Sequence, residues 1–277
     1  ETFLRESGYR MPEHASRALA PYVRQGMKFF VARVNLKEQR AGGYQQLRPI
    51  QIAFESPKFM LPIRLGMANA DGPQDLIVYA ITRNGRVESS NYQTVKIPSD
   101  VEVPEFVEKQ FADFYRSTFA RSWREHGRSA VATEYVWNMG ACDPCAAPPL
   151  TPDELKQAGV FWMDEQSDPS SRRFMPVTLT RLHVRYDAEH FPEDLMFQET
   201  GDQQLFQGRY VIRRPFRGEM KCSNADAYRD QLDQRHRKEA ETLASLTGWE
   251  RSRIQKGMGS DAPAKTPAPW WKTLWEK

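Results

Sequence analysis

The sequence lacks the features that mark several common protein classes. Only three of its 277 residues are cysteine, which is few for a disulfide scaffold. Its 39 Lys and Arg residues stand against 36 Asp and Glu, and the resulting net charge of +3 is spread along the chain. No basic block predicts a nucleic-acid partner. No apolar run approaches the roughly 18 to 20 residues needed to cross a bilayer.

Recognisable catalytic motifs are also missing. Nucleophile-elbow, P-loop, dinucleotide-binding and zinc-protease patterns are absent, and the five histidines are scattered. His183 and His190 flank Asp187 and Glu189, a set that could gather a metal or an acid/base pair. His183 falls on an alternating strand and His190 in the turn after it, so their side chains need not converge. The sequence therefore predicts no catalytic residue, metal or cofactor.

What the sequence does contain is a set of alternating segments typical of strands. They cover residues 28–36, 47–54, 59–65, 76–83, 86–96, 130–137, 177–186, 195–200 and 208–214. The dipeptide Asn84-Gly85 favours a type I′ turn, which predicts a hairpin between 76–83 and 86–96. The last three segments are predicted to pair antiparallel.

Helical periodicity takes over elsewhere in the chain. It predicts helices over 1–9, 12–25, 104–127, 151–158 and 224–248. Thr151 and Glu154 fit a capping box, and the charges of 229–241 are interpreted as a solvated helix face. We expect an α+β fold with an antiparallel β-sheet core. Two long helices, after Pro104 and before Gly248, are expected to cover that core, and an extended C-terminal tail follows.

Two of the cysteines form the close pair Cys142-Asp-Pro-Cys145. The spacing permits a disulfide, a redox pair or half a metal site. A redox pair needs a helix at once after the first thiol, whereas prolines delay the helix here. A zinc site needs two more ligands, and Cys222 is the one remaining cysteine. The pattern favours a structural disulfide, either Cys142 to Cys145 or one of them to Cys222, and leaves metal binding and thiol exchange open.

The C-terminal residues change composition again. Residues 257–269 are typical of a linker, so the sequence predicts a domain over 1–248 and a docking segment over 249–277. Trp270, Trp271, Leu274 and Trp275 would share one helical face, an arrangement that binds a hydrophobic groove or a membrane interface. Two lysines and one glutamate make a weak lipid anchor, so we expect a protein partner in a larger assembly, with a peripheral membrane contact as the alternative.

Several longer motifs resemble those of DUF2330, a bacterial family of unknown function. They comprise residues 22–39, 54–66, 69–73, 142–145, 182–186, 190–194 and 244–249, which extend the resemblance over about residues 1–250. The family has no established activity to carry over. The resemblance implies an exported protein with a signal peptide and a further, cysteine-containing N-terminal region, to which an unpaired cysteine of this chain could bond.

The function expected from these features is that of a non-catalytic accessory or scaffold subunit. It would be exported to the periplasm or the cell surface and would dock on a larger assembly through the tryptophan-rich tail. The alternative is a periplasmic enzyme. This would be either a thiol oxidoreductase that uses Cys142 and Cys145, or a hydrolase whose catalytic groups are too dispersed to recognise.

Overall fold

The protein is a mixed α/β structure with several sheets. The computed structural model describes residues 2–10, 15–32, 35, 37–38, 49–141, 148–166 and 177–261. Within these residues the α-helices are α1 Thr2–Glu6, α2 Ala15–Arg24, α3 Phe111–Glu125, α4 Pro152–Gln157, α5 Ala225–Thr247 and α6 Arg251–Met258. The strands are β1 Met60–Leu61, β2 Gln74–Thr82, β3 Val87–Ser89, β4 Thr94–Lys96, β5 Val101–Glu102, β6 Val131–Asn138, β7 Thr178–Tyr186, β8 Leu195–Glu199, β9 Phe206–Gln207 and β10 Tyr210–Val211.

The central sheet has the strand order β2-β7-β6-β4, with β9 also paired to β6. Strand β7 lies antiparallel to both β2 and β6, and its register with β2 runs from Gln74 opposite Tyr186 to Thr82 opposite Thr178. Strand β4 joins β6 in parallel. The predicted antiparallel core is thus present, with a parallel strand added at one edge.

A second sheet packs over one face of the central sheet. It has the order β1-β8-β3 and is antiparallel throughout. Leu182 and Val184 of β7 meet Leu195 and Phe197 of β8 in the first hydrophobic core. Because side chains alternate along a strand, the other face of β7 is left for a different layer.

That other face carries α3. Phe119 of α3 packs with Ala132 of β6, and the Trp123 indole donates a hydrogen bond to the Arg185 carbonyl of β7. Helix α5 packs on α3 rather than directly on the central sheet, and a second hydrophobic core forms there. Its buried members are Val103, Val107, Phe114, Leu243, Trp249, Ile254 and Met258.

Several helices begin or end at the residues that the sequence predicts. The Thr151 hydroxyl accepts a hydrogen bond from the Glu154 amide, and the Glu154 carboxylate accepts one from the Thr151 amide, which confirms the capping box. Gly127 and Gly248 end the turns after α3 and α5 with φ of +67° and +71°. Glycine adopts this left-handed conformation without steric cost, so it stops a helix efficiently. The predicted linker begins inside α6, which extends to Met258 and is followed by a 3₁₀ turn to Asp261.

The predicted hairpin at Asn84-Gly85 is wrong. Strand β2 pairs with β7 and β3 pairs with β8, so this turn carries the chain from one sheet to the other. Neither residue has a positive φ. A Cβ atom at Gly85 would lie 2.5 Å from the Thr200 carbonyl and 2.6 Å from that of Asp202. Glycine is needed here because the loop after β8 approaches closely, not because a type I′ turn demands it.

Three further strand predictions are corrected. The described parts of 28–36 and 47–54 contain no strand, and within 59–65 only Met60–Leu61 is a strand, β1, while a 3₁₀ turn begins at Arg64. The segments predicted at 177–186, 195–200 and 208–214 do not pair with one another, since β7, β8 and β10 belong to three sheets. Alternation identifies a chain segment able to form a strand, but the partner edge is decided by tertiary packing.

Candidate functional site

A cavity of about 720 Å³ lies beside the second hydrophobic core. It is bounded by α5, by α6 with the following turn Gly259–Asp261, by the 3₁₀ turn Glu105–Gln110, and by residues 213–217 after β10. A volume of this order is typical of small-molecule sites. Within the described part of the chain, this cavity is therefore a candidate functional site.

The face of α5 that reaches the cavity also builds the core. His236, Glu239, Leu243 and Thr247 follow one another at three- or four-residue intervals, so they share one side of the helix. All four are buried. Leu243 belongs to the second core, while His236 and Glu239 line the cavity. Packing of the apolar part of this stripe thus places an imidazole and a carboxyl group at the cavity wall.

Glu239 is a buried carboxyl group that is only partly neutralised. Its side chain is 3% exposed, and its Oε1 makes no hydrogen bond within the described residues. Arg235 is its ion-pair partner, with Nε 3.3 Å from Oε1. Burial raises the pKa of Glu239 to about 7, and the attraction of Arg235 opposes this rise only in part. Near neutral pH the group can therefore donate as well as accept a hydrogen bond.

His236 lies one helical turn before Glu239 and is also buried, with 6% of its surface exposed. Its ring makes no hydrogen bond within the described residues. Burial lowers the pKa of His236, although the nearby carboxylate of Asp261 acts in the opposite direction. The ring is consequently neutral at neutral pH, with one nitrogen that donates and one that accepts.

The rim of the cavity is fixed by ion pairs. The Arg217 guanidinium lies 2.9 Å from both the Glu105 and the Asp261 carboxylates and so joins two sides of the rim. Every lining carboxylate has an arginine partner: Glu105, Glu108, Glu239 and Asp261. Lys109 and Lys256, by contrast, make no ion pair with any described residue.

A second polar cluster lies between α3 and the central sheet. The Tyr115 hydroxyl donates to Glu134 Oε1 at 2.5 Å, and His183 Nδ1 lies 3.0 Å from the same oxygen. Arg181 Nε is 3.0 Å from Glu134 Oε2. The Phe119 ring stacks on the His183 imidazole with the centroids 3.4 Å apart. This cluster pairs a buried acid with a histidine and encloses both.

The electrostatics of the cluster indicate that Glu134 is a stabilised carboxylate and not a proton donor near neutral pH. Burial alone would raise the pKa of Glu134, but hydrogen bonds from His183 and Tyr115 bring it below its ordinary value. Burial and the bond to Glu134 raise the pKa of the Tyr115 hydroxyl. Tyr115, Glu134 and His183 satisfy one another by hydrogen bonds beneath α3, so we assign the cluster to the attachment of α3 to the sheet.

The histidines flagged in the sequence go to separate partners. His183 contacts Glu134 and lies 3.5 Å from Asp75, whereas His190 Nδ1 lies 3.0 Å from the Asp187 carboxylate. Asp187 also accepts from the His190 amide and so closes the turn after β7. Within the described residues no group of three or more His, Cys, Asp or Glu side chains could hold a metal ion. Nor does that part of the chain contain a helix long and apolar enough to span a bilayer.

The disulfide and tail predictions remain predictions. Cys222 is exposed and its thiol is free. Cys142 and Cys145 lie outside the described residues. So does the predicted docking face, which comprises Trp270, Trp271, Leu274 and Trp275.

Comparison with known proteins now gives the family. The model of a family described as an uncharacterized protein conserved in bacteria, DUF2330, matches residues 1–198. The chain belongs to the DUF2330 family. No curated protein and no solved structure matches it. The motif at 244–249 lies beyond the matched residues.

Three DUF2330 segments that are distant in sequence meet at one buried carboxylate. Asp194 accepts hydrogen bonds from the Tyr22 hydroxyl at 2.5 Å and from the Ile63 amide at 3.0 Å. Arg64 Nε lies 3.3 Å from the same carboxylate. This contact ties α2 to the β1–β8 region. The cavity, by comparison, combines residues 104–110 of the DUF2330 match with residues beyond it.

Sequence reasoning missed the two residues that make the cavity distinctive. The sequence alone indicates that His236 is one of five scattered histidines and that Glu239 is one of the solvated charges of 229–241, whereas both are buried. The usable signal was their spacing, because residues 236, 239, 243 and 247 continue a stripe that contains a core leucine.

Proposed function

We propose that this DUF2330 protein is a non-catalytic accessory or scaffold subunit that docks on a larger protein assembly. In this proposal it is exported to the periplasm or cell surface, and a disulfide braces its body. That body is a mainly antiparallel sheet core covered by the long helix α3, on which the long helix α5 packs in turn. The predicted docking segment, 249–277, contributes Trp270, Trp271 and Trp275 to the assembly.

The observation that carries the proposal is the concentration of exposed apolar side chains in residues 2–65. Of the 17 large apolar side chains exposed in the described part of the chain, 11 fall in this stretch. They are Phe3, Tyr9, Val23, Phe29, Phe30, Val31, Ile50, Ile52, Phe54, Phe59 and Leu65. Contiguous exposed apolar patches mark interaction sites, and a partner that covers this stretch would remove these side chains from water.

The backbone of the same stretch is available for pairing. Residues 28–32 and 49–56 form neither helix nor strand, and their backbones make no backbone–backbone hydrogen bond within the described residues. Ile50, Ile52 and Phe54 stand at alternate positions, and all three are exposed. A partner segment could add a strand here, with main-chain bonds giving affinity and alternate side chains giving specificity.

The test compares two matched double variants of the whole chain. Ile52→Ser with Phe54→Ser alters side chains that are 58% and 69% exposed, and Phe161→Ser with Phe216→Ser alters side chains that are 56% and 58% exposed elsewhere. Proteins that co-purify from the native cell envelope are quantified by mass spectrometry. We expect the first variant to lose a partner that the control retains, with the melting transitions of both unchanged.

The contribution of the tail is tested by a triple variant. Trp270→Ala, Trp271→Ala and Trp275→Ala should release the same partner, since a buried interfacial Trp is worth on the order of 2 kcal/mol or more. Retention of the partner by both the tail variant and the Ile52/Phe54 variant would refute the docking function. Retention by the tail variant alone would restrict the interface to residues 2–65.

A further inference from the structure

The cavity beside α5 carries unneutralised positive charge. Its lining has five cationic side chains, Lys109, Arg213, Arg217, Arg253 and Lys256, against four carboxyl groups. Arg213 pairs with Glu102 outside the cavity, and Arg253 lies over the Trp249 ring and 3.8 Å from the Asp113 carboxylate, which does not line the cavity. Since the lining carboxylates all have arginine partners, the charge left for a ligand is that of Lys109 and Lys256.

The interior of the cavity offers hydrogen-bonding groups that the described residues leave unused. His236 and Glu239 are both more than nine-tenths buried, yet neither the His236 ring nor Glu239 Oε1 has a hydrogen bond within the described residues. Buried polar groups of globular proteins nearly always have a partner. A ligand that enters the cavity could supply one.

The cavity wall is built to a fixed shape on the side of α6. A Cβ atom at Gly257 would lie 2.6 Å from the Phe106 ring, so α6 and the 3₁₀ turn Glu105–Gln110 approach each other as closely as glycine allows. Arg217 holds Glu105 and Asp261 together across the rim. The Gly257–Phe106 contact thus holds together the two elements that carry Lys109 and Lys256.

We propose that this cavity is a binding site for a small organic anion, whose carboxylate or phosphate group pairs with Lys109 and Lys256 while His236 and Glu239 bond to it from the interior. The volume admits a molecule the size of a sugar phosphate or a tricarboxylate. An ionised Glu239 repels such a ligand, whereas a protonated one donates a hydrogen bond to it. Anion binding is thus strongest where Glu239 is protonated.

The first experiment measures anion binding by calorimetry at low ionic strength. Citrate and glucose 6-phosphate are the two probes, and glucose is the uncharged control. The variant Lys109→Gln with Lys256→Gln removes the charges at the cavity. Lys221→Gln with Lys238→Gln makes the same change at exposed positions of 221–238 outside it. We expect the cavity variant to weaken binding of the preferred anion by about tenfold or more, since charge-assisted hydrogen bonds are lost.

The relative affinities of citrate and glucose 6-phosphate identify the anionic group that the site prefers. The control variant should bind that anion within about twofold of the natural chain. Equal weakening in both lysine variants would indicate a general charge effect and overturn the proposal. So would dissociation constants above about 1 mM for both anions at low salt.

A second experiment follows the affinity of the preferred anion across pH. In the natural chain the affinity should fall as the pH rises through about 7, where Glu239 ionises. Glu239→Gln keeps a hydrogen-bond donor and cannot ionise, so its affinity should change less over the same range. If the natural chain and the variant show the same dependence of affinity on pH, Glu239 does not contact the bound anion.

Discussion

Glu239→Gln should make the protein more stable at alkaline pH and leave its stability unchanged in acid. Burial raises the pKa of Glu239 from 4.5 to about 7. Between these values the native state holds a proton that the unfolded chain releases. The free energy of unfolding therefore falls as the pH rises through this interval. At 1.36 kcal/mol for each pKa unit, the shift corresponds to about 3 kcal/mol.

The measurement is urea unfolding, followed by tryptophan fluorescence, at several pH values from about 4.5 to about 8. Other carboxylates titrate in the same experiments, so the quantity of interest is the difference between natural chain and variant. We expect that difference to be near zero at pH 4.5, where Glu239 is protonated in both states. It should approach about 3 kcal/mol in favour of the variant above pH 7.

Glu241→Gln is the matched control, because it makes the same charge change at an exposed position two residues along α5. Its stability difference from the natural chain should not change over the interval. Parallel stability curves for Glu239→Gln and the natural chain would refute the reasoning. A variant less stable at alkaline pH would show that the ion pair with Arg235 outweighs the burial of the charge.

Three further predictions concern the second core, the sheet-switching turn and the free thiol. Phe114→Ala should lower the free energy of unfolding by about 3 to 5 kcal/mol, because the Phe114 side chain is fully buried. Phe111→Ala replaces a half-exposed ring and should lower the free energy of unfolding by less than about 1 kcal/mol in the same urea titration. Gly85→Ala should lower the melting temperature because its Cβ would strike two carbonyls, while Gly201→Ala, with open space around it, should not. Maleimide should label Cys222 in unreduced protein; failure to label it before reduction would indicate a disulfide instead.

The sequence predicted those helix and strand boundaries that depend only on residues within one turn of the boundary. The Thr151 capping box and the glycines after α3 and α5 act within one helical turn, so reading them needs no knowledge of the rest of the chain. The strict alternation of β7 likewise predicted a strand. The same kind of alternation was misleading at 47–54, because nothing local shows whether a strand-like segment finds a partner.

The candidate site was the least predictable part. His236 and Glu239 come from one helix, but their environment is assembled from 104–110, 213–217 and 253–261. Burial of a charged residue depends on which helix face the tertiary structure covers, and composition favours the solvated interpretation. Only the spacing to Leu243 hinted at the true orientation of α5.

The amino-acid sequence by itself determined the DUF2330 membership, the mixed α/β class, the positions of α3 and α5 and the residues that end them. These depend on periodicity, capping and motif content, which act over short distances along the chain. The tertiary structure alone decided which strands share a sheet, that Asp194 joins three distant segments, and that a carboxyl group on a charged helix faces a cavity. Each of these results requires groups far apart in sequence to be brought together, and the free energy of that packing is not encoded in any one segment.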